Sequence, residues 1–387
     1  MQTFLQRVAT HILSKHPTTL DQVNIVLPTR RGAFFLMQEL AKATAQPIMS
    51  PNVTAIDDFV ESMCTLEIED SIETFLELYE TFKEVDPEIE FDRFMGWAAV
   101  LLSDLDKLDQ YLVDTDYLFD YLSEIKAIER WQAHLPAGRT LKTAGGIKQY
   151  FALFENIKKV YKRFKERLTA KGKAYRGMAY RQLAENIDTL LFAREDLEML
   201  YFAGFNAFTE SEKHIIRAWV KVGKAEVLWD TDSYYMEENT GIEAGRTLRE
   251  YQSKRTLGDW NWTTQNLTQD EKQITIYGVS NATLQTKVAG QIYADLIAMD
   301  EPDEPVPTAI VLADENLLLP MIYSLDESIK DFNITMGLSL RNSLLYTLIE
   351  CIFDLQQNVM EIRTKEGKKI KIPKFGHKSI SKILNHP

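Results

Sequence analysis

Residues 23–40 read VNIVLPTRRGAFFLMQEL, and this stretch decides the fold of the N-terminal part of the chain. Val23–Leu27 is a continuous β-prone run that ends at Pro28, which is typical of a buried strand. From Gly32 onward the apolar residues recur with helical spacing, at Ala33, Phe34, Leu36, Met37, Leu40 and Ala41. A buried strand that leads directly into a helix is half of a βαβ unit, so the stretch predicts an α/β domain with a parallel sheet.

The residues before this strand predict one amphipathic helix. Between residues 2 and 16 the apolar side chains share one helical face, and Pro17 ends the helix. A P-loop ATPase needs an earlier strand and a glycine-rich loop that carries Lys-Ser or Lys-Thr. The pattern GxxxxGK(S/T) occurs nowhere in the 387 residues, so we expect no nucleotide site of this type.

Length and composition limit the class of protein. A chain of 387 residues with 45% hydrophobic residues predicts two or three domains with sizeable cores. The net charge of −13 argues against a protein that coats itself with nucleic acid, although a local basic groove stays compatible with it. Cys64 and Cys351 lack C-x-x-C spacing and fit a reducing compartment. No signal peptide and no apolar run of about 20 residues is visible, so we expect a soluble cytoplasmic protein with no membrane contact.

The predicted elements divide the chain into three parts. A first α/β domain is expected to comprise residues 1–61 and 197–265, separated by a nearly all-helical segment, residues 62–196. About 140 residues between strands of one sheet is too long for a loop, so the insertion should be its own subdomain. Residues 270–387 predict the start of a second, truncated α/β domain. Its strands are predicted at Ile274–Tyr277, Ala309–Leu312 and Asn333–Met336.

This layout resembles the UvrD-like helicase core and, more closely, the N-terminal part of AddB-type and RecB-family exonuclease subunits of the PD-(D/E)xK nuclease group. The segments that carry the resemblance are residues 23–40, Asp104–Asp114, Tyr201–Thr209 at the Walker B position, and Asn333–Gly337 with Asn342–Leu344. The resemblance covers essentially the whole chain. It implies a P-loop-helicase-like (RecA-like) parallel sheet with a large all-α insertion, followed by part of a second α/β domain. It also implies a role in DNA double-strand-break repair and recombination.

The motifs that handle ATP in the resembling helicases are degenerate here. Besides the missing P-loop, the Walker B strand runs into Ala203-Gly204-Phe205-Asn206, with no carboxylate to hold Mg²⁺. The helicase arginine should fall near Leu318, yet no Arg or Lys lies between Ile310 and Leu325. The nuclease signature of the family would lie beyond Pro387. We therefore expect no catalytic residue, nucleotide, metal or other cofactor in this chain, which should be neither ATPase nor nuclease, although its parent resembles an exodeoxyribonuclease subunit.

Two basic stretches are candidates for DNA contact. Thr29, Arg30 and Arg31 follow a strand at the edge where α/β sheets bind ligands, and in the resembling helicases this loop touches the DNA backbone. The second stretch, interleaved with aromatic residues, comprises Lys158, Lys159, Lys162, Arg163, Lys165, Arg167, Lys171, Lys173 and Arg176. Such a surface can follow phosphates and stack bases. Each stretch also has an alternative interpretation without DNA. Arg30 and Arg31 could be surface arginines paired with acids, and the second stretch could be a solvated helix face over a core stripe of Phe164 and Leu168.

Asp230 and Asp232 follow the predicted strand Ala225–Trp229. Two acids at a strand end could hold Mg²⁺, but no third ligand is evident. A turn capped by an aspartate side chain is the better interpretation.

The sequence thus predicts an inactivated helicase-like module that binds or guides DNA. Its partners would be single-stranded or double-stranded DNA ends and an active helicase–nuclease subunit of the AddA type. The alternative is a pure protein–protein scaffold without DNA affinity, which the charge of −13 favours. A third hypothesis, an ATPase with a cryptic site, would require ATP turnover stimulated by DNA.

Overall fold

Four parallel strands form the central sheet of the computed structural model. They are β1 (Val23–Leu27), β2 (Asn52–Ala55), β5 (Met199–Ala203) and β6 (Ala225–Leu228), in the spatial order β2–β1–β5–β6. Ile25 pairs with Val53 on one side and with Tyr201 on the other. Because all four strands run in one direction, their carboxyl ends meet at a single edge of the sheet. The prediction of an α/β fold with a parallel sheet is confirmed.

The structure describes residues 2–44, 47–69, 72–123, 144–194, 197–237, 242–260, 262–269, 271–299, 308–327, 329, 331–337, 339–357, 359–363 and 369–386. The chain divides into two compact units, Met1–Glu271 and Lys272–Pro387. No helix among these residues is long and apolar enough to cross a bilayer.

Alternate residues of each strand enter two different cores, which is the period of two that a strand imposes. On one face of the sheet lie α1 (Phe4–Lys15) and α2 (Arg30–Ala43), which pack against Val23, Ile25, Leu27, Tyr201 and Leu228. On the other face lie α3 (Ile56–Met63), α8 (Arg176–Glu185) and α10 (Glu210–Lys221), which pack against Val26, Leu200, Phe202 and Val227. Burial of both faces explains why the strands read as continuous apolar runs.

Helices with a core of their own lie between β2 and β5 along the chain. They are α4 (Ile72–Val85), α5 (Phe91–Gln110), α6 (Thr115–Ser123) and α7 (Ala144–Ala170). Two short strands, β3 (Glu67–Ile68) and β4 (Lys173–Ala174), pair in parallel beside them. Their core includes Phe82, Phe94, Val160, Phe164 and Leu168. The N-terminal unit also contains α9 (Ile187–Ala193), α11 (Ser233–Met236), α12 (Arg246–Lys254) and α13 (Asn266–Gln269).

Helix α8 belongs to both cores of this unit. Met178 and Ala179 pack in the helical core, whereas Tyr180 and Leu183 pack in the core beneath the sheet. Its Gly177 lies against α5, where its N–H donates a hydrogen bond to the side chain of Asp106. The absence of a side chain at Gly177 allows the two helices to approach this closely.

The C-terminal unit is helical apart from one hairpin, as far as its described residues go. It contains α14 (Ala282–Met299), α15 (Leu318–Ile322), α16 (Leu344–Gln357) and α17 (His377–Leu384). The antiparallel hairpin is formed by β7 (Val359–Arg363) and β8 (Lys369–Phe375).

The three strands predicted for this unit are wrong in this structure. Residues 274–277, 309–312 and 333–336 form no ladder, and Ile276 and Val311 are 90% and 88% exposed. A β-prone sequence describes how well side chains fit a pleated, half-buried surface, and it does not itself provide the neighbouring strand. Among the described residues this unit therefore has no parallel sheet.

Gly177→Ala tests the close approach of α8 to α5. The new Cβ would lie 2.1 Å from the carbonyl oxygen of Asp106, so the helices would have to separate. We expect urea denaturation to show a loss of about 1–3 kcal/mol in the free energy of unfolding, as is typical of overpacking. Gly96→Ala on α5 is the matched control, because apart from the adjacent backbone of its own helix no atom lies within 4 Å of its new Cβ. Alanine is the better helix former, so this control should not lose stability. Equal losses in both variants would contradict the close approach.

Two histidines, His11 of α1 and His16 at its C-cap, predict a pH dependence of stability. His16 lies 2.9 Å from the hydroxyl of Tyr201, and His11 lies 3.4 Å from the Glu226 carboxylate, with Lys15 also paired to Glu226. Burial lowers the pKa of both imidazoles below 6.5, and for His11 it outweighs the opposing effect of Glu226. The unfolded chain therefore binds more protons than the folded chain below that pH. The contribution to stability should be complete well above pH 6.5 and should be lost progressively over the interval in which the pH falls through 6.5 and below it, as read from urea midpoints. His11→Gln/His16→Gln should lose less over this interval than the wild type; an equal loss would contradict the assignment.

Candidate nucleic-acid interface

The loop after β1 presents Thr29, Arg30 and Arg31 at the carboxyl edge of the sheet. The backbone of Thr29 is extended, and its hydroxyl oxygen accepts a hydrogen bond from Gly32 N at 3.0 Å. This is an N-cap, which satisfies one of the free N–H groups at the start of α2. Arg30 and Arg31 then occupy the first helical turn, which contains no acidic residue.

The two arginines differ in their partners. Arg30 forms a two-pronged ion pair with Asp58, with Nε 3.0 Å from both carboxylate oxygens and a terminal nitrogen 2.6 Å from one of them. This contact holds the pKa of Asp58 below its ordinary value. Arg31 is exposed and forms no ion pair with any residue that the structure describes. The alternative of surface arginines paired with acids therefore applies to Arg30 and not to Arg31.

The ends of β5 and β6 carry no metal-binding geometry among the described residues. β5 ends at Ala203 and turns at Gly204, whose φ of +76° favours glycine. After β6, Asp232 caps α11 by accepting a hydrogen bond from Tyr234 N at 3.1 Å, and it also accepts one from the Thr264 hydroxyl at 2.9 Å. The interpretation of this turn as capped by an aspartate is confirmed. Within the described ranges no three His, Cys, Asp or Glu side chains are grouped to hold a metal ion.

Burial and hydrogen bonds move the two acids of this turn in opposite directions. Burial alone would raise the pKa of Asp232, but the hydrogen bonds that it accepts lower it below the ordinary value. Burial raises the pKa of Asp230, and the ion pair with Arg7 at 3.6 Å opposes this effect only in part. The contacts of both acids are thus hydrogen bonds and an ion pair within the protein.

Most cations of the second basic stretch pair with acids of neighbouring elements, although the side chains of Lys162, Arg163 and Lys171 stay more than half exposed. Lys158 Nζ lies 2.5 Å from Asp120, Lys162 Nζ lies 2.6 Å from Asp116, and Arg163 Nε lies 3.2 Å from Glu84. The remaining pairs are Lys165 with Asp109, Arg167 with Glu77 and Glu84, Lys171 with Glu77, Lys173 with Glu69 and Glu73, and Arg176 with Asp57. Lys159 is exposed and forms no ion pair within the described part of the chain.

Beneath these cations lies the core stripe that the alternative interpretation required. Phe164 and Leu168 are buried between α7 and its neighbours, with Phe164 stacked on Tyr175 at 5.7 Å between ring centroids. The helical part of the stretch is thus a helix over a core stripe, and most of its charges are balanced by acids of α4, α5 and α6. Of the sequence-predicted cations, Arg31 and Lys159 are those without an ion pair among the described residues.

A buried carboxylate that the sequence did not single out organises this region. Asp109 on α5 is fully buried and accepts hydrogen bonds from the hydroxyls of Tyr161 and Tyr175. Lys165 Nζ and Arg181 Nε lie 3.2 Å and 2.6 Å from it. Burial and the charge of Asp109 raise the pKa of both tyrosines. A signal was present in the sequence, because Asp109 lies four residues after Leu105, on the apolar stripe of its helix.

Asp109→Asn tests this arrangement. The substitution removes the negative charge that balances Lys165 and Arg181 in a buried setting. Breaking a buried ion pair from one side typically costs about 3–5 kcal/mol, so we expect a loss of that order in urea denaturation. Asp120→Asn is the matched control, because Asp120 is 66% exposed and pairs with Lys158 at the surface. Its loss should be about 0–1 kcal/mol. Similar losses for both would show that Asp109 is not the organising charge.

No protein-family model matches the sequence, and no curated protein matches it. The likeness to AddB-type subunits therefore stays a prediction from the segments quoted above.

Proposed function

We propose that this chain is an inactivated helicase-like module of an AddB/RecB-type exonuclease that guides DNA during the processing of double-strand breaks. It would neither hydrolyse ATP nor cut DNA itself. An active subunit of the AddA type would supply the helicase chemistry. The observation that carries the proposal is the exposed Arg31, without an ion-pair partner among the described residues, at the carboxyl edge of a parallel sheet.

The position of Arg31 supports a role in binding an anion. The N-terminus of a helix carries partial positive charge, so a cation in the first turn costs about 0.3–1 kcal/mol. α2 nevertheless begins with two arginines and no acid. A phosphate group placed there would interact favourably with the helix N-terminus and with Arg31 together. Residues that break a local rule without a structural benefit are typical of functional positions.

The carboxyl edge also supports the proposed loss of ATP chemistry. Hydrolysis of ATP by helicases of this type needs a carboxylate at the end of the Walker B strand and a phosphate-binding loop. The strand in that position, β5, leads into Ala203 and Gly204, and the P-loop pattern does not occur in the sequence. The remaining groups at the edge can hold or orient a ligand, but they offer no arrangement for phosphoryl transfer.

The scaffold alternative has a specific observation in its favour. The basic stretch from Lys158 to Arg176 is largely balanced by acids of the same unit, so it can release few counterions from DNA. DNA affinity would then depend on a small number of cations. The proposal limits the contact in the N-terminal unit chiefly to the loop that carries Arg31, with Lys159 as a second candidate.

Binding of a fluorescein-labelled single-stranded 20-mer, measured by anisotropy at 50 mM and 200 mM salt, tests the proposal. The wild type should bind at low salt and weaken as salt increases. Arg31→Gln should weaken binding and reduce the slope of log affinity against log salt by about 1, as expected for the loss of one phosphate contact. Lys162→Gln should change the affinity by less than about twofold, because its charge is already paired with Asp116.

Lys254→Gln is the control for net charge, because Lys254 lies on α12 and pairs with Glu250 at 2.5 Å. If the wild type does not bind at low salt, the scaffold alternative replaces the proposal. ATP turnover stimulated by the oligonucleotide would contradict the loss of ATP chemistry.

A further inference from the structure

Two aromatic side chains at the start of α2 have no role in the core. The helix packs on the sheet through Ala33, Leu36 and Leu40, which are buried. The helical spacing placed Phe34 in the same apolar set, but Phe34 is 59% exposed and Phe35 is 47% exposed. Their rings meet edge to face with centroids 5.7 Å apart. An exposed aromatic pair of this kind gives the fold little, so its surface is available to a ligand.

Arg31 lies on the same side of the helix as this pair. Residues three and four positions apart on a helix are neighbours, so Arg31 lies one turn before both Phe34 and Phe35. Asp58 pairs with Arg30 and Asp57 pairs with Arg176, whereas Glu61 also acts on Arg30. The exposed guanidinium of Arg31 has no ion pair among the described residues, and this charge beside the aromatic pair is complementary to a phosphate and not to a neutral apolar partner.

We infer that Phe34 and Phe35 form a platform on which the bases of single-stranded nucleic acid stack while Arg31 contacts the adjacent phosphate. The inference rests on the proposed function and assigns the ligand class and two further contact residues to the same loop. Aromatic side chains beside a cation are the usual means of binding single strands without sequence preference, because every base has a π face. A duplex keeps its bases stacked on one another and would not use this platform.

The test compares oligonucleotides with and without bases. Anisotropy is measured with labelled dT20 and with an abasic backbone of the same length, for the wild type and for Phe34→Ala/Phe35→Ala. The wild type should prefer dT20 over the abasic strand. The double variant should lose about 10- to 100-fold in affinity for dT20 and keep its affinity for the abasic strand. Arg31→Gln should weaken the binding of both strands by a similar factor, because both contain the phosphate that Arg31 would contact.

Phe192→Ala is the matched control, because Phe192 is an exposed phenylalanine at 83% that lies on α9, outside the segment that carries Arg31. It should bind dT20 as the wild type does, and thermal melts should show that all variants are folded. A double variant that keeps the wild-type affinity for dT20 would overturn the inference and leave the pair as a protein-docking surface. Failure of the wild type to bind either strand would instead overturn the proposed function on which the inference rests.

Discussion

The buried carboxylate of Asp109 is the interaction on which the N-terminal unit depends most. It joins three helices, because it lies on α5, accepts from Tyr161 and contacts Lys165 of α7, and contacts Arg181 of α8. A charge in this position is tolerable only because two cations and two hydroxyls surround it. Removing Lys165 or Arg181 would leave this buried charge less well balanced, which favours one arrangement of the three helices. Helix α8 also connects these helices to the sheet, because its opposite side packs in the core beneath the sheet.

Pairing of cations with acids also explains the surface charge of the inserted helices. Cations of α7 pair with acids of α4 and α6, and a protein of net charge −13 has more acidic than basic side chains. Each exposed pair adds little stability, about 0–1 kcal/mol. Together they nevertheless cancel a positive field that would otherwise attract nucleic acid along the whole helix. Of the cations that the sequence singled out, those that keep their charge without an ion pair among the described residues are Arg31 and Lys159.

The sequence predicted those features that depend on neighbouring residues. The strand and helix of residues 23–40, the alternation of the strands and the capped turn at Asp232 all follow from local spacing. It did not predict partners that are distant along the chain, such as Glu84, which is 79 residues from Arg163. Nor could spacing show that Phe34 is exposed, because an apolar side chain at a helical interval looks the same whether or not a neighbour covers it. The strands predicted for the C-terminal unit were wrong for the same reason, since a strand needs a partner strand that its own sequence does not contain.

At the carboxyl edge of the sheet, the fold explains some side chains and leaves others unexplained. Thr29 caps α2, Arg30 neutralises Asp58 and Asp232 closes its turn, so each of these groups is explained by the fold. Arg31 opposes the helix dipole, and Phe34 and Phe35 expose apolar area to water. Arg31 thus costs the isolated protein some stability, whereas Phe34 and Phe35 forgo part of the gain of burial, and the three residues lie within about one turn of one another. A ligand with a negative charge beside a flat apolar surface would offset both effects at once, which is why we propose a nucleotide strand for this position rather than a phosphate or an apolar peptide alone.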